Sequence, residues 1–600
     1  MFLPVTKKEM GKRGWDVPDI VLVTGDAYVD HPSYGAALIS RLLESKGYKV
    51  AVIAQPEWRN AEDFKRFGRP KLFFAITSGN VDSMISNYTA GKKRRATDDY
   101  SPGGKSGKRP DRAVIVYSNR AREAFPGVSI VLGGVEASLR RFAHYDYWDD
   151  RVRRSVLLDA KADILVYGMA ERAILEIAEK ASKGIAPSRM DGVRGTVIVR
   201  KDLCAYPEVI KIPSFEEVSS DLDKFNEAFK GISCGHNPMK SPAIAQEHTG
   251  RYVVQIPPAK PLSTEEMDAL YVLPFEYAWH PSYSPAGGIK AFETVRFSIT
   301  AHRGCSAECS FCGIHLHQGR IVQSRSASSI IAEAARISRR PDFKGTVSDI
   351  GGPTANMYGA RCKAWEKEGP CQNKSCLVPE KCPGLRLAYD EALRMYGAIA
   401  SIPGVKNVFI GSGFRHDLLT DKYSEKYLEQ MALKYIGGQM KVAPEHVSDK
   451  VLEVMNKPRF ETYRKFLEQV ARISERTGKK IYLANYFISA HPGSGLKEAL
   501  EMSLYLLGRG MSPEQVQDFI PLPMTFSAAI YHTGKHPFSS KKVHVPRTPR
   551  ERKMQRALAQ YRNPSNLQAL REALKELNAE VLQKKYFLDS KKKKASSKKF

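Results

Sequence analysis

Three cysteines, Cys305, Cys309 and Cys312 in GCSAECSFCG, have the type and spacing to do chemistry. The spacing is C-x3-C-x2-C, with Phe311 directly before the last thiol. A closed zinc site takes four ligands. A disulfide framework takes an even number of thiols and an oxidising compartment. Three thiolates on one short loop can instead hold three irons of a four-iron, four-sulfur (4Fe–4S) cluster, since such clusters take cysteine ligands. The fourth iron then lacks a protein ligand and is open to substrate or cofactor. Phe311 would shield the sulfurs from water, which tunes the potential.

A second set follows: Cys362, Cys371, Cys376 and Cys382, four within 21 residues. By count this is a ligand set. A structural zinc or an auxiliary Fe–S cluster both suit it, as do four unligated thiols, and the spacing does not choose. Cys204 and Cys234 stand alone.

These thiols need elements to position them. In residues 1–195, DIVLVTGD, KVAVIA, LFFAITSGN, RAVIVYSN, SIVLGGVEAS and ILVYGMAE read as strands. YGAALISRLLESKG between the first two has the apolar spacing of a helix. The alternation predicts an α/β, doubly wound parallel sheet, with a ligand site at the strand carboxyl ends near Asp26, His31 and Gly133-Gly134. Residues 196–290, with many prolines, read as a connecting segment. From VRFSIT the alternation restarts through GTVSDIGG, VKNVFIGSG, GGQMKVA, KIYLANYFIS and QVQDFIPLP. Six strands with crossover helices predict a partial β/α (TIM-like) barrel over 291–540, interrupted by a Cys-rich insertion at 355–385. The three cysteines follow its first strand. Residues 541–600 form a basic C-terminal extension. It holds an amphipathic helix (Leu567, Leu570, Leu574, Leu577, Val581) and a KKKKASSKKF tail, expected to be disordered.

The formal net charge is +28, part of it in that tail and in the basic loop at 92–109. Such tracts attract phosphate backbones, so nucleic acid stays open as a partner. Gly104-Lys105-Ser106 is not a P-loop, because Asp99 stands where a glycine is needed. The N-terminus has no signal-peptide apolar region, and no apolar run reaches membrane-spanning length. The chain reads as cytoplasmic.

The cysteine motif after a barrel's first strand resembles the radical S-adenosylmethionine (SAM) superfamily. The resemblance implies that Cys305, Cys309 and Cys312 ligate a 4Fe–4S cluster whose open iron chelates the amino and carboxylate groups of SAM. One electron, from a donor such as flavodoxin or ferredoxin, then cleaves SAM to methionine and a 5′-deoxyadenosyl radical. Gly351-Gly352-Pro353-Thr354 stands where the superfamily has its Gly-Gly-Glu motif, with proline replacing the glutamate. GSGFRHDLL, with Ser412 and Arg415, VAPEHVSDKVLEVMNKP, FISAHPGSG and FIPLPMTFSAAIY match later segments in order. Gly351, Gly352, Thr354, Ser412 and Arg415 are thereby implied as SAM-binding residues. The whole arrangement resembles the YgiQ family, which leaves substrate and reaction open. Some superfamily members carry an N-terminal cobalamin domain. Here its Asp-x-His-x-x-Gly motif is not met, since Asp30 adjoins His31, although VLGGVEAS resembles the glycine pair that approaches the nucleotide tail. Methylthiotransferases of the superfamily place three cysteines N-terminally, and none precedes Cys204 here. The competing class is a zinc-ribbon nucleic-acid-binding protein without radical chemistry. Iron and sulfide in anaerobically purified protein separate the two.

Overall fold

A computed structural model describes residues 1–513 and 516–586; the lysine tail lies outside the described residues. The apolar runs of the first half form parallel strands β1 (Ile20–Thr24), β2 (Val50–Ala54), β3 (Phe73–Thr77), β4 (Ile130–Leu132) and β5 (Ile164–Val166), in the order β2-β1-β3-β4-β5. They are almost wholly buried, as strands covered on both faces must be. Helices α1 (Gly35–Ser45), α2 (Ala113–Ala124) and α3 (Gly134–Leu139) make the crossovers, and α4 (Glu171–Ser182) follows β5 and packs beside α1. In this order the chain reverses direction between β1 and β3, and ligands of such sheets bind beyond the carboxyl ends there.

Two segments differ from the sequence expectation. RAVIVYSN is not a strand: it opens α2, because Ala113, Val114, Tyr117, Ser118 and Ala121 recur at helical spacing and are buried. A parallel crossover from β3 to β4 requires such a helix. The segment read as a connector carries β6 (Thr196–Arg200), β7 (Ile210–Ile212), β8 (Ile244–His248) and β9 (Arg251–Gln255). These widen the first sheet to nine strands, with β6 antiparallel to β5.

The second half builds β10 (Ser298–Thr300), β11 (Thr346–Val347), β12 (Asp349–Gly351), β13 (Asn407–Val408), β14 (Gln439–Glu445), β15 (Tyr482–Ser489) and β16 (Val516–Asp518). β10 pairs with β12, β11 with β13, β14 with β15 and β15 with β16, all parallel. Phe414 bridges to Val442 in the same sense. Ser348 splits the second barrel strand into β11 and β12. This is the partial β/α barrel the sequence predicts.

In the extension, helix Leu567–Glu576 buries Leu570 and Leu574 against helix Pro549–Ala559, which itself packs on Leu496–Gly508. Its apolar face is thus covered by its own chain. The helix ends before Val581, which is 90% exposed. Among the described residues no helix is long and apolar enough to cross a membrane.

Candidate cluster loop and the cavity beside it

The loop after β10 is held at both ends and in the middle. Gly304 has φ +83°, and a Cβ there would strike the Ile321 carbonyl, so the turn needs glycine. The Cys305 amide donates to Gly319 O at 3.1 Å, and Gly304 N to Gln318 Oε1 at 3.1 Å. Ser310 is the central rivet. Its amide donates to Met455 O (3.0 Å), its hydroxyl to Val454 O (2.7 Å), and its carbonyl accepts from Ser527 N (2.8 Å). Asn456 Nδ2 donates to Glu308 O at 2.9 Å. Segments following β14 and β16 therefore fix the main chain between the thiols. Phe311 meets His491 edge-on, centroids 5.9 Å apart.

All three thiols are free and half-buried. Burial, reinforced by the neighbouring Cys309, lifts Cys305 to about 11 and Cys312 to about 12. Both stay protonated at neutral pH until a metal displaces the proton. The Ile314 amide points at Cys312 Sγ (3.4 Å) and Arg415 Nη1 at Cys309 Sγ (3.3 Å). Among the described residues no three Cys, His, Asp or Glu side chains converge in metal-holding geometry, so neither cysteine set is closed in advance around an ion. The donor chemistry of the first set fits a 4Fe–4S cluster: three thiols on one pinned loop, with N–H groups directed at sulfur.

Gly351 and Gly352 end β12. A Cβ on Gly351 would collide with Ser412 Oγ, and one on Gly352 would stand 2.6 Å from the His302 ring. Asp349 fixes the facing turn, accepting from Gly411 N (2.8 Å), Ser412 N (3.1 Å) and the Ser412 hydroxyl. Gly351, Gly352 and Ser412 line a cavity of about 670 Å³. Thr354 and Arg415 do not line it. The Thr354 hydroxyl donates to Gly413 O at 3.1 Å, and Arg415 grips Asp417 through Nε (2.9 Å) and Nη2 (2.6 Å).

The carboxyl ends of both sheets wall this cavity. Thr77, Asn80 and Gly133-Gly134 come from the first, and Gly313-Ile314, directly after Cys312, from the second half. Asp26 and His31, expected at the site, are not there. Asp26 is buried and paired with Arg109 at 2.5 Å, and burial lifts its carboxyl to about 6. His31 is wholly buried, edge-on to Tyr277 at 5.2 Å and Phe292 at 6.1 Å. Chain from residues 277–292 has closed over that strand end. The wall also contains His302, Arg303, Glu171 and His317, which no motif marks. Glu171 follows β5 as a polar strand terminus, the one signal that pointed to it.

In the second cysteine set the Cys382 amide donates to Cys376 O at 2.9 Å. A Cβ on Gly384 would lie 3.7 Å from the sulfurs of both Cys362 and Cys382. Cys371 and Cys376 gather at Arg320. This guanidinium donates to Cys371 O (2.7 Å) and Lys374 O (3.3 Å) and pairs with Glu308, inside the first cysteine loop, at 2.6 Å. Cys376 is buried, which pushes its thiol up to about 11. Cys204 and Cys234 are exposed.

Comparison with known proteins adds relatives to this geometry. A family model described as Radical SAM N-terminal matches residues 2–298, and a domain of unknown function, DUF3362, matches 514–583. A UPF0313 protein of Clostridium botulinum (strain ATCC 19397 / Type A) is 48% identical over 581 residues, 97% of this chain and 90% of that protein. One from Methanosarcina acetivorans is 47% identical, covering 96% of this chain and 80% of its own. Among solved structures, the radical SAM methyltransferase TsrM from Kitasatospora setae, with cobalamin and a 4Fe–4S cluster bound, is 14% identical with a TM-score of 0.48, covering 84% of this chain and 74% of its own.

Proposed function

The chain belongs to the UPF0313 family, and from that premise we propose that it is a radical SAM enzyme acting at the cavity between its two sheets. Cys305, Cys309 and Cys312 would hold the 4Fe–4S cluster, and SAM would lie against Gly351, Gly352 and Ser412. A reduced 4Fe–4S cluster held by those thiolates would supply one-electron chemistry, the reductive cleavage of the C5′–S bond of SAM to methionine and a 5′-deoxyadenosyl radical. One observation carries the reading: the pinned three-thiol loop runs directly into the wall of a cavity that the Gly-Gly turn and Ser412 also line.

The chain's own residues shape the site. Missing side chains at Gly351 and Gly352 let Ser412 Oγ and the His302 ring close against the end of β12, which sets both in the cavity wall. Asp349 spends its carboxylate on the Ser412 turn and so fixes that hydroxyl before any ligand arrives. The electron donor would be a flavodoxin or ferredoxin.

The second cysteine set would hold zinc or an auxiliary Fe–S cluster. Of the groups expected from the sequence, cobalamin has Gly133-Gly134 at the cavity wall in its favour. It has no axial ligand in His31, which is packed away, and no step here depends on it. We take residues 1–195 together with β6–β9 as the first domain, 291–540 as the barrel and 541–600 as the extension. The zinc-ribbon nucleic-acid reading leaves the Gly-Gly turn and the cavity without a role.

The test is anaerobic reconstitution. Brown protein containing iron and sulfide, and forming 5′-deoxyadenosine from SAM and dithionite, is the expected result. Colourless protein that binds only zinc would overturn the proposal.

A further inference from the structure

The cavity is larger on the first domain's side than the Gly-Gly turn and Ser412 account for. There it runs along the face of the first sheet, with Leu22, Ile76 and Val131 on one side and Ile39 and Ile174 of the covering helices on the other. We infer that this half is a binding site for a second small molecule with an apolar body and a hydrogen-bond-donating amine, and that nucleic acid does not enter it. The inference rests on the radical SAM reading only in leaving the barrel half to SAM.

The apolar walls set the body of the ligand, since such surface is favourably covered by apolar groups. The polar groups set its head, and most are already spent. Asp82 pairs with Arg140 at 2.9 Å and caps the amides of Met84 and Ile85. Thr77 Oγ1 accepts from Gly79 N at 3.2 Å, and Asn80 Oδ1 from Gly35 N at 3.2 Å. Glu171 is different. Its side chain is 5% exposed; Oε1 is held by Arg303, while Oε2 has no partner. A buried carboxylate oxygen without a donor is costly, and a ligand N–H removes that cost. His302, wholly buried, packs its ring against Gly352 and so belongs to the barrel half.

Charge excludes a phosphate. Arg303 is the one lysine or arginine among the described residues of the wall. It is neutralised by Glu171, and its Nε is directed at Tyr271 OH at 3.2 Å. A phosphodiester would find no unpaired cation and would face the carboxylates of Glu171 and Asp82. The net charge of +28 therefore lies elsewhere on the chain.

The experiment uses two probes with one body and opposite heads, phenethylamine and 3-phenylpropionate, observed by saturation-transfer NMR on full-length protein purified anaerobically. Phenethylamine should bind, with at least about tenfold preference over the acid, the size of one hydrogen bond to a charged group. Glu171→Gln frees Arg303 and should invert the preference. Ala36→Phe, which fills the slot from α1, should abolish binding of both probes, and it carries the test if the Glu171 variant melts early. Equal or better binding of 3-phenylpropionate to the wild type, survival of binding in Ala36→Phe, or displacement of phenethylamine by a single-stranded oligonucleotide would each overturn the inference. SAM cleavage is measured on the same preparation. Cleavage without amine binding sinks this inference alone, and amine binding without cleavage sinks only the radical reading.

Discussion

Arg415 Nη1 lies 3.3 Å from Cys309 Sγ while Asp417 holds the other side of the same guanidinium through two hydrogen bonds. Arg415 also exchanges main-chain bonds with the Asn356 side chain, Arg415 N to Oδ1 and Nδ2 to Arg415 O, both at 2.9 Å. The cation is thus aimed at a thiol and not at the cavity. A charged donor on a ligand sulfur favours the reduced, more negative cluster. Such a bond is worth ~1.5–3 kcal/mol, or roughly 60–130 mV for one electron. Arg415→Gln should lower the midpoint potential of the reconstituted cluster by up to that amount with iron content retained. Asp417→Asn, which loosens the aim, should give a smaller drop. An unchanged potential in both, by EPR-monitored titration, would remove Arg415 from the cluster's surroundings.

Single Cys305→Ala, Cys309→Ala and Cys312→Ala variants should each lose the cluster and all 5′-deoxyadenosine formation, because one iron loses its anchor. Folding should persist, since the loop is pinned through Ser310 and the Cys305 main chain and not through the thiols. Iron analysis and product chromatography check this. Full cleavage in any one of the three would count strongly against the assignment.

Gly351→Ala forces a methyl onto Ser412 Oγ, and Gly352→Ala one onto the His302 ring. Overpacking of this kind costs ~1–3 kcal/mol. Each variant should bind cluster normally and raise the KM for SAM by about tenfold or more. Equal loss of iron in these variants would mean the turn supports the loop and not the ligand.

Stability should fall steeply on the acid side of neutrality. Burial pushes His31 and His491 down to about 3 and His302 to about 4, so the folded chain keeps them neutral. The unfolded chain takes up a proton on each below its ordinary value of about 6.5. The unfolded state therefore binds more protons, and stability declines as pH drops from about 6.5 toward the folded values. For His31 alone the loss by pH 5 is roughly 2 kcal/mol. Phenylalanine suits its aromatic surroundings, so His31→Phe should flatten the melting-temperature profile between pH 6.5 and 5. A profile parallel to the wild type would refute the buried neutral histidine.

What could be read from the sequence follows the range of the interaction. The three thiols, the glycines after β12 and the polar end of β13 depend on neighbours close in sequence, and their spacing announces them. Asp26 and His31 also follow a strand end, yet Arg109 covers the first and residues 277–292, some 250 positions later, cover the second. RAVIVYSN has strand composition, and only the longer spacing through Ala121 reveals a helix. Glu171 belongs to no motif, because what distinguishes it is an oxygen left without a partner, which composition cannot encode.

Arg320 joins Glu308, between Cys305 and Cys309, to the main chain at Cys371 and Lys374 in the insertion. The consequence reaches protein engineering. A chimera that transplants the three-cysteine loop into another barrel inherits half of a partly buried ion-paired clasp, and a deletion that trims the insertion strands the same guanidinium from the opposite side. Loop and insertion are therefore one transferable module, to be moved or replaced together.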